Sequence, residues 1–132
     1  MIPPLSCYRY DDVLRDLARA RLSNFVRTAQ PLGELRAAAV AVVITADNGE
    51  ASVLLTRRAS SLRAHSGQWA LPGGRIDEGE RVEEAALREL SEEVNLELPE
   101  TAVLGLLDDY STRSAYRITP VVVWADRDAQ GL

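Results

Sequence analysis

The sequence predicts a single domain of mixed α/β fold. Its 132 residues suit one modest hydrophobic core. Two segments repeat apolar residues at helical spacing, and short runs rich in β-branched residues lie between and after them. The predicted order is a helix, a hairpin, a short strand, a second helix and further strands, which is typical of α/β domains.

The first predicted element is an amphipathic helix from Asp11 to about Ala29, with Asp11 or Asp12 as its N-cap. Pro31 and Gly33 end the pattern. The apolar residues at helical spacing are Val13, Leu14, Leu17, Leu22, Phe25 and Val26. We interpret residues 1–35 as an N-terminal helical arm that packs on the domain or on a partner chain, and we assign it no chemistry.

A hairpin and a short strand are expected next. Residues 37–45 form a nearly continuous apolar run, which predicts a buried strand, and Asn48-Gly49 predicts a tight turn. The chain should return as a strand over 52–57. A loop over 58–68 and a strand over 69–71 follow, and Pro72-Gly73-Gly74 should end that strand.

The remaining elements are a second helix and two strands. Residues 80–94 carry a stripe that should face the core: Val82, Ala86, Leu87, Leu90 and Val94. Residues 101–108 and 115–124 are predicted to be strands. The second segment is rich in β-branched residues, which favour strands.

Composition narrows the class of protein. The chain is 46% hydrophobic and 27% charged, as in soluble globular proteins, and lacks an apolar run of about 20 residues that could cross a bilayer. A net charge of -5 argues against a general nucleic-acid binder. Cys7 is the only cysteine, which excludes an internal disulfide and a cysteine zinc cluster. These features fit a cytoplasmic enzyme, and we expect no nucleic-acid or membrane partner.

The acidic face of the second helix is the strongest chemical feature. Glu89, Glu92 and Glu93 are three or four residues apart, so they share one sector of the helix. Arg88 can orient a carboxylate through two hydrogen bonds, but it offsets only one charge. Hard divalent cations such as Mg²⁺ take oxygen ligands and would balance the remainder. An acidic face that is merely solvated remains the alternative.

Gly73-Gly74, just before this helix, has two interpretations. The glycines could form an ordinary tight turn with positive φ. They could equally allow close backbone approach, so that the Gly73 carbonyl joins a metal shell and the loop admits phosphate.

The spacing of these residues resembles the Nudix box. Gly74 is followed six residues later by Glu80, and then by Arg88-Glu89-Leu90-Ser91-Glu92-Glu93-Val94-Asn95-Leu96. The family pattern has glycine where this chain has Asn95. That position follows the helix and takes a left-handed conformation, for which asparagine is the usual second choice.

The resemblance implies an α/β/α sandwich with a mixed sheet and a metal-dependent hydrolase. Glu89 and Glu93 would be the principal ligands of Mg²⁺ or Mn²⁺, with the Gly73 carbonyl beside them. Glu92 would be a further ligand or a base. Arg88 would orient the carboxylates, and Glu80 would lie just outside the ligand set. The implied reaction is attack of activated water on a diphosphate that is linked to another group.

The segment before the box is similar to that of Nudix coenzyme A diphosphatases, although Leu71 and Ala115 depart from the subgroup's phenylalanine and glycine. The implied substrate is coenzyme A or a derivative, which would yield 3',5'-ADP and phosphopantetheine. The implied substrate-binding residues are Arg57, Arg58, Arg63, His65, Gln68 and Gly74. For each of the three arginines, the alternative is that it only solvates the loop.

The family fold normally continues past the last predicted strand to another strand and a closing helix. We therefore expect the Nudix domain, residues 36–132, to have a missing or short C-terminal part and one uncovered sheet face. The N-terminal helix, a partner chain or an absent segment could cover that face, and a homodimer through this helix is a candidate. The alternative substrates are ADP-ribose, dinucleotides or oxidised nucleotides, and the alternative class is a nucleotide-sensing binding module.

Overall fold

A computed structural model describes residues 8–57 and 69–128, and side chains as far as Asp126. A mixed β-sheet lies between two helices, as the predicted sandwich requires. The elements, in chain order, are α1 Asp12–Ser23, β1 Arg36–Asp47, β2 Glu50–Val53, β3 Thr56–Arg57, β4 Trp69–Ala70, β5 Gly73–Arg75, α2 Val82–Val94, β6 Val103–Leu106, β7 Tyr110–Ser111 and β8 Tyr116–Asp128.

Two long strands form the centre of the sheet. Strands β1 and β8 run parallel, from the pair Arg36–Tyr116 to the pair Ile44–Trp124. Strands β2 and β5 pair with β1, while β6 and β7 pair with β8, all antiparallel. The prediction of a buried strand over 37–45 and of a strand over 115–124 is confirmed, and both run through the core as apolar segments.

The tight turn between β1 and β2 is confirmed. Asn48 and Gly49 have φ angles of 52° and 80°, so both adopt the left-handed conformation that a two-residue hairpin needs. The strand predicted over 52–57 is divided, because β3 leaves the main sheet and pairs with β4.

Helix α2 packs on one face of the sheet through small residues. Ala85, Ala86 and Leu90 are buried against alternate residues of β1 and β8, among them Ala39 and Val121. The helix begins two residues later than predicted, because the Arg81 N–H donates to Glu84 Oε1 at 2.9 Å and caps it. It ends at Val94, and the φ of 56° at the following Asn95 confirms the expected left-handed position.

Helix α1 packs on the opposite face, where Leu14, Ala18 and Leu22 contact Val122 and Trp124. The uncovered face that the sequence suggests is therefore partly covered by the N-terminal arm. The helix is shorter than predicted and ends at Ser23. The inclusion of Phe25 and Val26 in this helix was wrong, because both lie beyond its end and are 43% and 91% exposed.

Two strand boundaries also differ from the prediction. Gly73 and Gly74 do not end a strand but begin β5, which pairs with β1. The last strand continues to Asp128, beyond the predicted end at Trp124. Across residues 8–57 and 69–128, no helix is long and apolar enough to cross a membrane.

Candidate active site

The two glycines of β5 are needed for close approach and not for positive φ, which neither adopts. A Cβ atom on Gly73 would lie 2.8 Å from the Cα of Val40. A Cβ on Gly74 would lie 2.6 Å from the Cδ of Glu89. Gly74 therefore leaves the space in which the Glu89 carboxylate rests against β5.

The carbonyl of Gly73 points away from β1. Ala41 N–H donates to Pro72 O at 2.8 Å, and Ile76 N–H donates to Ala37 O at 3.0 Å. In an antiparallel ladder the residues between such bonded positions turn their peptide groups to the other side. Gly73 is one of these, so its carbonyl faces away from the hydrogen bonds of the β1 ladder.

Arg88 is the centre of a charged cluster at the start of α2. Its guanidinium donates from Nε and Nη2 to the two oxygens of Glu80, at 2.8 and 3.1 Å. Nη1 donates to Glu89 Oε1 at 3.0 Å and reaches Glu92, while Nη2 also donates to the carbonyl of Arg75 at 2.9 Å. The cluster thus joins α2 to β5 and to the turn before the helix.

The turn before α2 holds Glu80 in place. Asp77 N–H donates to Glu80 Oε1 at 2.9 Å, and Glu80 N–H donates to Asp77 O at 3.0 Å. The paired hydrogen bonds from Arg88 keep the pKa of Glu80 below its usual range. The same bonds raise the pKa of Arg88, so the pair stays ionised across the physiological range.

Negative charge exceeds positive charge around Arg88. Carboxylates of Asp77, Glu80, Glu89 and Glu92 lie within 3.5 Å of its nitrogens. In the described part of the chain, acidic, histidine and cysteine side chains do not gather in threes as a preformed metal site. Glu89 and Glu92 bind Arg88 instead, and Glu93 is exposed on the next turn.

The donor chemistry nevertheless fits a hard divalent cation. The carboxylates around Arg88 and the Gly73 carbonyl are oxygen ligands, which such cations prefer. The single guanidinium of Arg88 leaves most of the negative charge of the carboxylates unbalanced.

The family follows from this geometry together with one comparison. The NUDIX domain pattern matches residues 35–131. The chain belongs to the Nudix family. An uncharacterised Nudix hydrolase, NudL of Pectobacterium atrosepticum, is 43% identical over 94 residues, which are 70% of this chain and 48% of NudL.

Other Nudix proteins agree in sequence and in fold. Nudix hydrolase 3 of Caenorhabditis elegans is 34% identical over 113 residues, 85% of this chain and 47% of that protein. The crystal structure of RenU, a Nudix hydrolase of M. smegmatis, superposes with a TM-score of 0.50 at 29% identity, over 68% of this chain and 61% of RenU. The chain spans about half the length of NudL and of Nudix hydrolase 3.

A cavity of about 420 Å³ opens beside the Nudix box. Its walls are mainly apolar, and Gly73, Gly74 and Arg75 form the side next to the charged cluster. Its other lining residues are Ala38, Val40, Ala70, Leu71, Tyr110, Ser114, Tyr116 and Ile118. Cavities of this size hold small-molecule ligands in many proteins.

The predicted substrate-binding residues have different outcomes. Gly74 lies at the cavity, whereas Arg57 is exposed with its guanidinium carbon 6.0 Å from the centre of the Trp69 ring. Arg58, Arg63, His65 and Gln68 lie outside the described residues.

Sequence reasoning missed two contacts of Arg88, with Asp77 and with the Arg75 carbonyl. Asp77 had a local signal, since an acidic residue three positions before a glutamate is typical of a helix start. The carbonyl contact had none, because it depends on where β5 lies.

Proposed function

We propose that this chain hydrolyses a phosphoanhydride in a nucleoside diphosphate linked to another moiety, with coenzyme A or a derivative as substrate. The products would be 3',5'-ADP and phosphopantetheine. The observation that carries the proposal is the Nudix-box geometry, in which Arg88 binds Glu80 and Glu89 and Glu89 rests against Gly74 of β5.

The proposed ligands of Mg²⁺ or Mn²⁺ are Glu89, Glu92 and Glu93 with the Gly73 carbonyl. When bound, such a cation lowers the pKa of water and neutralises charge that develops on the phosphates. Arg88 keeps Glu89 in one orientation, and Glu80 in turn fixes Arg88 through two hydrogen bonds. Glu92 is assigned as a further ligand or as the group that accepts the water proton.

The cavity supports the binding of a group attached to the diphosphate. It begins at Gly73 and Gly74, so a diphosphate beside the Nudix box would place its substituent against the apolar wall. The two tyrosines in that wall offer flat surfaces for a base or an extended chain. Coenzyme A is favoured within this class by the similarity of the segment before the box, including Arg57, to coenzyme A diphosphatases.

The test is a panel of substrates with the purified protein and Mg²⁺ or Mn²⁺. Coenzyme A, ADP-ribose, a dinucleoside polyphosphate and oxidised dGTP are incubated separately, and the products are identified by mass. We expect 3',5'-ADP and phosphopantetheine from coenzyme A, and their loss when the cation is chelated.

Two results would contradict the proposal at different levels. Turnover of ADP-ribose but not of coenzyme A would overturn the substrate assignment and leave the hydrolase. Tight nucleotide binding without turnover of any member would overturn the enzyme and favour a sensing module.

A further inference from the structure

Asp109 is a buried carboxylate outside the Nudix box, and its residue is only 5% exposed. It accepts hydrogen bonds from the Thr119 hydroxyl at 2.6 Å, the Gln30 N–H at 2.9 Å and Arg27 Nη2 at 3.0 Å. We call these four residues the Asp109 cluster. A buried charge with three donors is costly to disturb, because removal of one partner leaves the others unsatisfied.

The Asp109 cluster attaches the N-terminal arm to the sheet. Asp109 N–H donates to Thr28 O at 3.0 Å, and Thr28 N–H donates to Asp108 Oδ1 at 2.6 Å. Arg117 Nη1 donates to Gln30 O at 3.0 Å. Residues 27–30 are therefore held along β7 and β8 by backbone as well as side-chain bonds.

The cluster lies directly behind one wall of the cavity. Neighbouring residues of a strand point to opposite faces, so Thr119 turns away from the face that carries Ile118. Tyr110 follows Asp109 and pairs with Ile118 across β7 and β8. Ile118 and Tyr110 line the cavity, whereas Thr119 and Asp109 bond to each other on the buried side.

Tyr110 lies in a strand that, among the residues the structure describes, pairs with β8 alone. Strand β7 is only two residues long, and Tyr110 is 44% exposed. A short strand at a sheet edge contributes few ladder bonds, so its register depends on neighbouring anchors. Asp109, one residue away, is the buried anchor.

We propose that Asp109 is a positioning residue of the substrate site, which sets the place of Tyr110 in the cavity wall and makes arm residues 27–30 part of that site. The inference rests on the proposed function, because it assumes that the substituent on the diphosphate occupies the cavity. Weakening of the Asp109 cluster should lower affinity for that substituent while leaving the Nudix-box chemistry intact.

The test compares Asp109→Asn and the milder Thr119→Val with the wild type. Asp16→Asn is the matched control, because it also removes one carboxylate but lies on the exposed side of α1. Steady-state kinetics with coenzyme A and Mg²⁺ are measured alongside amide hydrogen exchange. Thr119→Val keeps the carboxylate of Asp109 and removes only one hydrogen bond to it. It therefore tests the inference even when Asp109→Asn folds poorly.

We expect both variants to raise KM, Asp109→Asn by about tenfold, with kcat within about threefold of the wild type. Exchange should accelerate over 107–112 and 24–30 and stay unchanged in α2. A fall in kcat that matches the loss of folded protein, at constant KM, would show a merely structural role and overturn the inference.

Failure of the proposed function would look different. The wild type would then turn over none of the panel, and the binding of coenzyme A measured by calorimetry, together with hydrogen exchange, would decide the inference. Weaker binding by Asp109→Asn and Thr119→Val than by the wild type, with faster exchange confined to those two segments, would support a positioning role for Asp109. Exchange that is unchanged, or faster throughout the chain, would overturn that role.

Discussion

At the scale of single residues, the site depends on how one guanidinium is shared. Arg88 uses Nε, Nη1 and Nη2 to bind two carboxylates closely and one carbonyl, and it reaches a third carboxylate at 3.3 Å. A lysine has one nitrogen and cannot reproduce this planar set of donors. The positions of Glu80 and Glu89 therefore depend on arginine specifically.

The ligand role proposed for Glu93 predicts a large loss of activity without unfolding. Glu93→Gln should lower kcat by at least about a hundredfold, because an amide is a weaker ligand than a carboxylate for a hard cation. Glu97→Gln, an exposed change just past the helix, is the control. Equal kcat in the two variants, with equal thermal stability, would show that the ligand assignment is wrong.

The buried carboxylate of Asp109 predicts a pH-dependent contribution to stability. Burial alone would raise its pKa, but the hydrogen bonds from Thr119 and Gln30 and the charges of Arg27 and Arg117 together outweigh burial and hold the pKa below the ordinary aspartate value. The stabilisation is therefore complete above the ordinary aspartate pKa and is lost as pH falls through the lowered value.

Asp109→Asn should accordingly lower the free energy of unfolding by about 2 kcal/mol near pH 7. The difference from the wild type should shrink as pH falls below about 4, because the wild-type carboxyl is then also neutral. Urea unfolding at a series of pH values measures this difference in unfolding free energy. A difference that is constant with pH would exclude this cause, and Asp16→Asn should show almost no difference at any pH.

At the scale of elements, strand β5 lies between β1 and α2, and its two adjacent glycines lack room for a side chain for different reasons. Gly73 faces the backbone of β1, which cannot move without disrupting the sheet. Gly74 faces the end of the Glu89 side chain, which can rotate away. The first glycine therefore serves the fold, and the second serves the geometry of the site.

Alanine at these two positions should separate stability from activity. Gly73→Ala should destabilise the chain by about 2 kcal/mol or more through overpacking. Gly74→Ala should cost little stability but lower kcat by about a hundredfold, because Glu89 is displaced. Denaturant unfolding and kinetics on both variants test this. Full activity in Gly74→Ala would mean that the placement of Glu89 is not critical.

At the scale of the whole molecule, α1 completes the layered structure. It packs on β6 so closely that a Cβ atom on Gly105 would lie 2.7 Å from the Cβ of Leu22. Tyr10, just before the helix, stacks on Trp124 with ring centres 4.5 Å apart. The N-terminal arm is therefore part of the folded domain in this structure.

A double-mutant cycle tests this packing. Gly105→Ala should cost about 1–2 kcal/mol of unfolding free energy, because the new methyl group collides with Leu22. Leu22→Gly removes the Cβ atom that collides, so the double variant should lose less than the sum of the single losses, by about 1 kcal/mol. Strict additivity in denaturant unfolding would show that α1 does not contact β6.

The sequence by itself determined the elements whose signals are local. The positions of Arg88 and Glu89 follow from helical periodicity, and the turns at Asn48-Gly49 and Asn95 follow from residues that tolerate positive φ. The box spacing was enough to identify the family, because all of its residues lie in one short segment between Gly74 and Leu96.

Only the tertiary structure decided how distant segments meet. Residues 27–30 bond to Asp109 some 80 positions away, and no periodicity relates the two segments. The same holds for α1 on β6, and for the strands that bring Tyr110 and Tyr116 to one cavity. Local spacing fixes what lies on one face of an element, whereas burial of apolar surface in the whole chain decides which faces come together.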